Sequence, residues 1–157
     1  MDEGKTLLIQ SCSATKNEVE GQVPAIDLYD GYFFRIIKKA RRDFGLNKNL
    51  DMLILSAKHG IVRPDEEISH YDQVMDEERA RELNKEVIAE IANHLEQNNY
   101  SKIVCNLGKE YRKAIEGLED VVTEEHELQM IEGNGIGEKG KVLKEMVTGS
   151  SLENYVN

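Results

Sequence analysis

The segment Ser56–Met75 combines side chains that bind anions with side chains that transfer protons. Lysine and arginine pair with phosphate groups, histidine titrates near neutral pH, and a carboxylate can orient an attacking water molecule. A single histidine is more often structural or exposed, but a mixed cluster within one segment indicates a functional loop. The members of this cluster are Lys58, His59, Arg63, Tyr71 and Asp72.

The element that must position this cluster is the segment before it. Asp51–Ala57 contains four consecutive apolar residues, which is typical of a strand buried on both faces of a parallel sheet. A glycine and a proline then interrupt regular structure, so we expect a loop of about 20 residues, a length that is usually functional or mobile. We expect Lys58, His59 and Arg63 to lie at the carboxyl end of the strand.

Strand and helix patterns alternate along the rest of the chain. Apolar runs predict strands at Lys5–Gln10, Asp51–Ala57, Lys102–Asn106, Glu119–Thr123 and Glu127–Glu132. Helical spacing predicts helices at Asp30–Phe44, Asp76–Gln97, Glu110–Glu116 and Lys141–Val147. This order predicts one three-layer α/β/α domain over residues 1–148, with a mostly parallel central sheet of four to five strands. Residues 149–157 lack periodicity and are expected to form a flexible tail.

Composition limits the cell compartment and the class of ligand. The chain has a formal net charge of −10, two cysteines, no apolar run as long as a membrane span and no pattern typical of a signal peptide. We therefore expect a cytoplasmic protein with reduced cysteines and no membrane partner. We also expect no metal and no cofactor, because no CxxC or HxxxH pair supplies ligands.

Basic residues follow four of the five predicted strands. They are Lys16 after the first strand, Lys58, His59 and Arg63 after the second, Lys109, Arg112 and Lys113 after the third, and Lys139 and Lys141 after the last. Ligands of open α/β sheets bind beyond the carboxyl ends of the strands. The acidic average can thus conceal one basic edge that faces a phosphate backbone or a nucleotide. The alternative is that these cations are scattered over the surface.

Two segments near the N-terminus also suggest ligand contacts. Ser11, Cys12 and Ser13 follow the first strand, where hydroxyl groups and free backbone amides can hold a phosphate with Lys16 as its counter-charge. The segment lacks a Walker pattern, and an ordinary polar turn is the alternative.

Tyr29 and Tyr32 lie at a helix entrance and can stack on a base or a sugar. Asp27 and Asp30 beside them can cap the helix or act chemically.

A glycine-rich segment, Gly135–Gly140, matches the pattern G-x-G-x-x-G. No βαβ unit follows it, so a dinucleotide site is not expected. Gly135 and Gly137, with Lys139, can instead direct backbone amides and an ammonium group at a nucleic-acid phosphate. A plain helix-entry loop is the alternative.

The loop Ser56–Met75 has the spacing LSxxxGxxRPxxxIxxYxxxM, from Leu55 to Met75, which resembles the signature of the peroxide-stress YaaA family. Residues 6–147 are similar to small YaaA-like domains, in which Ser-Cys-Ser with a lysine, Asp-Leu-Tyr, Ser-Ala-Lys-His-Gly and a late Gly-Ile-Gly recur in this order. YaaA-type proteins are associated with DNA binding and protection from oxidative damage. The small relatives also resemble uracil-DNA-glycosylase-like domains of archaeosine-type tRNA modification and of phage-defence DNA glycosylases.

The residues and the resemblance together predict a DNA glycosylase that removes a modified base, in defence or repair. The candidate catalytic residues are Asp27, Lys58 and Asp72. Asp27 or Asp72 would supply the carboxylate, and Lys58 and His59 would bind the leaving base or a phosphate. Imine formation by the Lys58 amine is a less favoured alternative. Tyr29, Tyr32 or Tyr71 would stack on a flipped base. The residues expected to bind the backbone are Lys16, Arg63, Lys109, Arg112, Gly135, Gly137 and Lys139. Two alternatives are a non-catalytic DNA-binding stress protein and an enzyme that acts on free nucleosides or nucleotides.

Overall fold

A computed structural model describes residues 4–131 and 136–149. The described strands are β1 (Lys5–Ser11), β2 (Gln22–Pro24), β3 (Leu50–Ser56), β4 (Gly60–Val62), β5 (Glu67–Ser69), β6 (Tyr100–Asn106) and β7 (Glu127–Met130). Five of them form a central sheet in the order β4-β3-β1-β6-β7, in which β4 alone is antiparallel to its neighbour. The short strands β2 and β5 pair with each other, antiparallel.

The described helices are α1 (Ala25–Leu28), α2 (Tyr32–Phe44), α3 (Glu77–Gln97), α4 (Leu118–Val121) and α5 (Ile136–Thr148), together with a 3-10 helix at Lys109–Ile115. Asp76 caps α3, since its side chain accepts a 2.7 Å hydrogen bond from the amide of Arg79. Gly45 ends α2 at a φ of 75°, a conformation that glycine adopts without strain. None of the described helices is long and apolar enough to span a membrane.

Alternate residues of the central strands point to opposite faces of the sheet. Helices pack on both faces and cover the apolar side chains there. Leu7 and Ile9 of β1 join a core with the apolar stripe of α3, whereas Leu8 between them joins a second core with residues of α2 and α5. The prediction of a three-layer α/β/α fold with a mostly parallel sheet is confirmed.

The predicted long loop after β3 contains strands instead. Gly60 has a φ of 73° and turns the chain into β4, which runs back along β3 and pairs Val62 with Ile54. Arg63 therefore follows a strand that leads away from the carboxyl edge, and the expectation that it lies at that edge is wrong. The sequence analysis missed this hairpin because β4 has only three residues.

The strand predicted at Glu119–Thr123 is also wrong. Residues Leu118–Val121 form one helical turn, which Gly117 precedes with a φ of 91°. The β-branched valines favoured a strand, but Leu118 is fully buried and anchors the turn in the core. Tertiary packing therefore outweighs local propensity in this segment.

Candidate functional site

A cavity of about 360 Å³ opens at the carboxyl ends of β1 and β6, and we call it the β1–β6 pocket. Gln10, Ser11 and Cys12 of β1 and its end form one side, and Tyr111 of the 3-10 helix also lines it. Tyr32 and Val74 lie on its lining and are among the few large apolar side chains that remain exposed. The pocket therefore combines a polar strand edge with an apolar opening.

Two buried amides occupy the ends of β1 and β6. Asn106 Nδ2 donates a 2.9 Å hydrogen bond to Gln10 Oε1, and Gln10 Nε2 donates to the carbonyl of Ser11 at 3.1 Å. Each residue is only 1% exposed. Neither residue was predicted to belong to the site, although a polar residue at the end of an apolar strand is a signal that could have identified both.

Buried hydroxyl groups and one thiol lie behind the pocket, and we call this set the hydroxyl network. The Tyr71 hydroxyl lies 2.6 Å from the Tyr29 hydroxyl and 2.9 Å from Ser56 Oγ, and it donates to Cys12 Sγ at 3.7 Å. The Tyr111 hydroxyl lies 3.0 Å from the same sulfur.

Desolvation by burial raises the pKa of Tyr29, Tyr71 and Tyr111 well above the usual range for phenols. The three phenols are therefore neutral near pH 7. They can donate hydrogen bonds but cannot act as tyrosinate bases.

The turn after β3 is held from two sides. Ser56 Oγ accepts hydrogen bonds from the amides of Lys58 and His59, at 3.2 and 3.1 Å. From α3, Arg79 donates to the carbonyls of Ala57 and Lys58, at 2.7 and 2.9 Å. Arg79 was not predicted as a site residue because its contribution depends on a contact across the fold.

His59 packs its ring edge-on against Tyr71, with 5.6 Å between ring centroids. Its Nε2 atom is buried, and no hydrogen-bond partner for it lies within residues 4–131 and 136–149. Desolvation, reinforced by the nearby charge of Lys58, lowers the pKa of His59, while Glu66 opposes this shift. The imidazole is therefore mainly neutral near pH 7.

The segment after β1 is fixed against the entrance of α2. Ser13 Oγ donates to the carbonyl of Thr15 at 2.6 Å and accepts from the amide of Gly31 at 3.1 Å. A Cβ atom on Gly31 would lie 2.6 Å from Ser13 Cβ, so the approach requires glycine. Lys16 pairs through its backbone with Tyr29. Ser11, Cys12 and Ser13 thus line the pocket, and Lys16 lies beside it. Tyr29 is fully buried, so its ring has no free face on which a base could stack.

The two predicted catalytic aspartates lie outside the lining of the pocket. Asp27 Oδ1 forms an ion pair with the guanidinium group of Arg41 of α2, at 2.9 Å. The side chain of Asp72 is 98% exposed, and its carboxylate lies 4.0 Å from His70 Nδ1. Asp30 does not cap α2, since Gly31 occupies that position. Its carboxylate binds Arg35 and Lys38 instead, and Arg35 is the main cause that lowers its pKa.

Glu110 provides a carboxylate in the pocket that the sequence analysis missed. It lines the β1–β6 pocket, and its Oε2 lies 3.7 Å from where a Cβ on Gly108 would be. Its negative charge contributes to the raised pKa of Tyr111. Among residues 4–131 and 136–149, no basic side chain lies within ion-pair distance of Glu110. A sequence signal existed, because Glu110 follows β6 at the same edge as Lys109 and Arg112.

The remaining predicted cations lie in different surroundings. Lys109 and Arg112 line a second depression, of about 490 Å³, together with the carboxylates of Glu77, Glu110 and Glu116. This depression carries both charge signs. The predicted continuous basic edge is therefore interrupted by acidic side chains on this side of the sheet.

The glycine-rich motif lies largely inside α5. Gly137 meets no neighbouring atom at its Cβ position, whereas a Cβ on Gly140 would lie 2.7 Å from the Tyr32 hydroxyl and 2.9 Å from Ile36 Cδ1. Gly140 therefore permits close packing of α5 on α2. Lys139 is half-buried on the same helix. Gly135 and the tail from residue 150 lie outside the described residues.

A family model described as "Family of unknown function (DUF6884)" matches residues 7–145. The chain belongs to this family. One solved structure, "Crystal structure of AF0587, a protein of unknown function", is similar to 92% of this chain at 20% identity with a TM-score of 0.50. The match covers 44% of that protein, so this chain spans less than half of its length, and the likeness concerns the fold alone. A comparison with curated proteins found no match.

Proposed function

We propose that this protein hydrolyses the N-glycosidic bond of a nucleobase, as a DNA glycosylase that removes a modified base. The observation that carries the proposal is the β1–β6 pocket, whose lining includes aromatic rings of α2, the buried residue Gln10 and the exposed carboxylate of Glu110. Its volume lies in the range of about 300–1,000 Å³ that is usual for small-ligand sites. Its position beyond the carboxyl ends of parallel strands is also where such folds bind ligands.

The shape of the pocket suits a planar base. Tyr32, Phe33 and Phe34 line it from α2, and Tyr32 is about half exposed at the opening. Aromatic side chains of this kind stack on bases that are flipped out of the DNA duplex. Ser13 Oγ donates its hydrogen to Thr15 and accepts one hydrogen bond from Gly31, so one lone pair remains that can accept a hydrogen bond from the edge of such a base.

Glu110 is the carboxylate that we assign to the chemical step. A water molecule attacks C1′ of the sugar, and the electron pair of the C1′–N bond leaves with the base. The Glu110 carboxylate accepts the proton of the water and stabilises the positive charge that develops on the sugar. The departing base takes up a proton from solvent and Glu110 later returns its proton to solvent, so the products are a sugar hemiacetal and the neutral base.

The test measures abasic sites, seen as alkali-labile strand breaks, in a panel of DNAs that carry natural, damaged and hypermodified bases. We expect breaks with at least one modified DNA and a loss of about 10²–10⁴-fold in rate for Glu110→Gln, the usual contribution of a general base. Asp72→Asn and Asp27→Asn are the matched controls, and we expect both to retain most of the activity.

Two outcomes would contradict this proposal. The first is that no DNA in the panel gives strand breaks. The second is that Glu110→Gln retains the wild-type rate while Asp72→Asn or Asp27→Asn abolishes it, which would return the chemistry to the aspartates. DNA retention without breaks, surviving all three substitutions, would favour the non-catalytic DNA-binding protein.

A second candidate is an enzyme that acts on free nucleotides. Ion pairs within the protein favour this candidate: Arg41 is paired with Asp27, and Lys113 is paired with Glu116. Fewer cations then remain for a long phosphate backbone. This candidate predicts release of free base from mononucleotides, with weak affinity for oligonucleotides, and the same Glu110→Gln variant tests it.

A further inference from the structure

We infer that Lys16 and Lys58 form a phosphate subsite beside the β1–β6 pocket, so that the ligand of the pocket is a nucleotide unit rather than a nucleoside. The inference deepens the proposed function, since it assigns the part of the substrate next to the base. It does not depend on Glu110 or on any chemical step.

Two ammonium groups converge on one buried ring. Lys16 Nζ lies 4.5 Å from the centroid of the Tyr71 ring, and Lys58 Nζ lies 6.0 Å from the same centroid. Among the residues that the structure describes, neither lysine has a carboxylate within ion-pair distance. Both ammonium groups thus lie near one ring, and a phosphate placed beside that ring would be attracted by both positive charges. The ring face attracts each ammonium, but it does not neutralise them.

The backbone that carries each lysine is fixed before any ligand binds. The backbone of Lys16 pairs with Tyr29, and its ammonium donates to the carbonyl of Ala14 at 3.5 Å. The turn that carries Lys58 is held by Ser56 and by the two hydrogen bonds from Arg79. A fixed backbone at both positions lowers the entropy that is lost when the side chains bind a ligand.

The subsite adjoins the pocket through two contacts. Ala14, whose carbonyl accepts from Lys16, lines the β1–β6 pocket. Tyr71, over which both ammonium groups lie, reaches Cys12 of the pocket with its hydroxyl. A ligand with its base in the pocket can therefore place an attached phosphate at the lysines.

The ligand chemistry follows from the donors. Lysine ammonium groups act as compact point charges toward phosphate, without the planar geometry by which arginine selects paired oxygens. A phosphate monoester or diester suits such a pair. The structure thus favours a nucleotide, free or within a strand, over an uncharged nucleoside.

The test compares four probes: inorganic phosphate, thymidine, thymidine monophosphate and a short oligothymidylate. Calorimetry at low salt measures their affinities for the wild type, Lys16→Gln, Lys58→Gln and the double variant. We expect the wild type to bind the monophosphate at least about tenfold more tightly than thymidine, and each single variant to lose about tenfold, as expected for hydrogen bonds to charged groups. The double variant should bind monophosphate and thymidine equally.

Lys39→Gln is the matched control, because it removes the same charge from an exposed position on α2. It should bind all probes as the wild type does, and melting temperatures should show that every variant folds. The relative affinities for monophosphate and oligothymidylate distinguish a free nucleotide from a strand as the source of the phosphate.

Equal binding of thymidine and its monophosphate by the wild type would overturn the inference. The inference would also be overturned if the double variant lost no more affinity for the monophosphate than the Lys39→Gln control does. If Glu110→Gln proves fully active while the two lysines still select phosphate, the proposed reaction fails and the subsite remains.

Discussion

Tyr71 joins the parts of the candidate site at the scale of single residues. Its hydroxyl lies within hydrogen-bond distance of Tyr29 and Ser56, and its ring lies under Lys16 and Lys58. Only 6% of the residue is exposed. A single side chain therefore connects the buried hydroxyl network with the cations at the surface.

Tyr71→Phe removes this hydroxyl while the ring stays. The buried Tyr29 hydroxyl then loses its 2.6 Å partner, which we expect to cost about 1–3 kcal/mol of unfolding free energy. Urea denaturation measures the loss. Tyr32→Phe is the control, because Tyr32 is 48% exposed and should change stability by less than about 0.5 kcal/mol. An equal effect of the two substitutions would contradict the role of the hydroxyl network.

Residue types and their order along the chain could predict part of this site. Cys12, Lys16, Tyr29 and Tyr71 follow predicted strands or adjoin a predicted helix, and the structure brings all four together. The position of Glu110 shortly after a predicted strand was a signal, but the sequence could not show that it lines a pocket, because β1 and the 3-10 helix form that pocket only in the folded chain. Long-range contacts of this kind leave no local pattern.

At the scale of elements, long segments with strong periodicity were predictable and short ones were not. The helix predicted at Asp76–Gln97 corresponds to α3, which begins at Glu77 after its aspartate cap. The three-residue strands β4 and β5 were hidden within a predicted loop. Each is stabilised by pairing with a neighbouring strand: β4 pairs with β3, and β5 pairs with β2. Arg63 was misplaced for this reason.

The contact of α5 with α2 affects the opening of the pocket. Gly140→Ala would place a methyl group 2.7 Å from the Tyr32 hydroxyl, and Tyr32, being half exposed, can yield by rotating. We therefore expect thymidine monophosphate to bind more weakly. The free energy of unfolding should fall by at most about 3 kcal/mol, the upper end of the usual cost of overpacking. Calorimetry and urea denaturation measure the two effects.

Gly137→Ala is the matched control on the same helix. Its Cβ meets no neighbouring atom within 4 Å, so the only expected effect is a gain of up to about 1 kcal/mol from helix propensity. Nucleotide affinity should not change. If both alanine variants bind thymidine monophosphate as the wild type does, the position of Tyr32 does not matter for the pocket.

For the whole molecule, the distribution of charge limits how much nucleic acid the protein can contact. The net charge is −10, and acids lie beside Lys109 and Arg112 at the edge once expected to be basic. Such a molecule repels a long polyanion except where cations are concentrated. In the described structure, Lys16 and Lys58 form such a concentration beside the pocket.

The salt dependence of binding therefore reports how many phosphates the protein neutralises. Each phosphate contact on a single strand contributes a slope of about −0.7 to log K against log salt concentration, so two lysines predict a slope of about −1.4. A continuous basic edge with six contacts would give about −4. Titration of oligothymidylate at several salt concentrations measures the slope. Lys16→Gln with Lys58→Gln should bring it close to zero, whereas a steep slope that survives the double substitution would place the backbone on other cations.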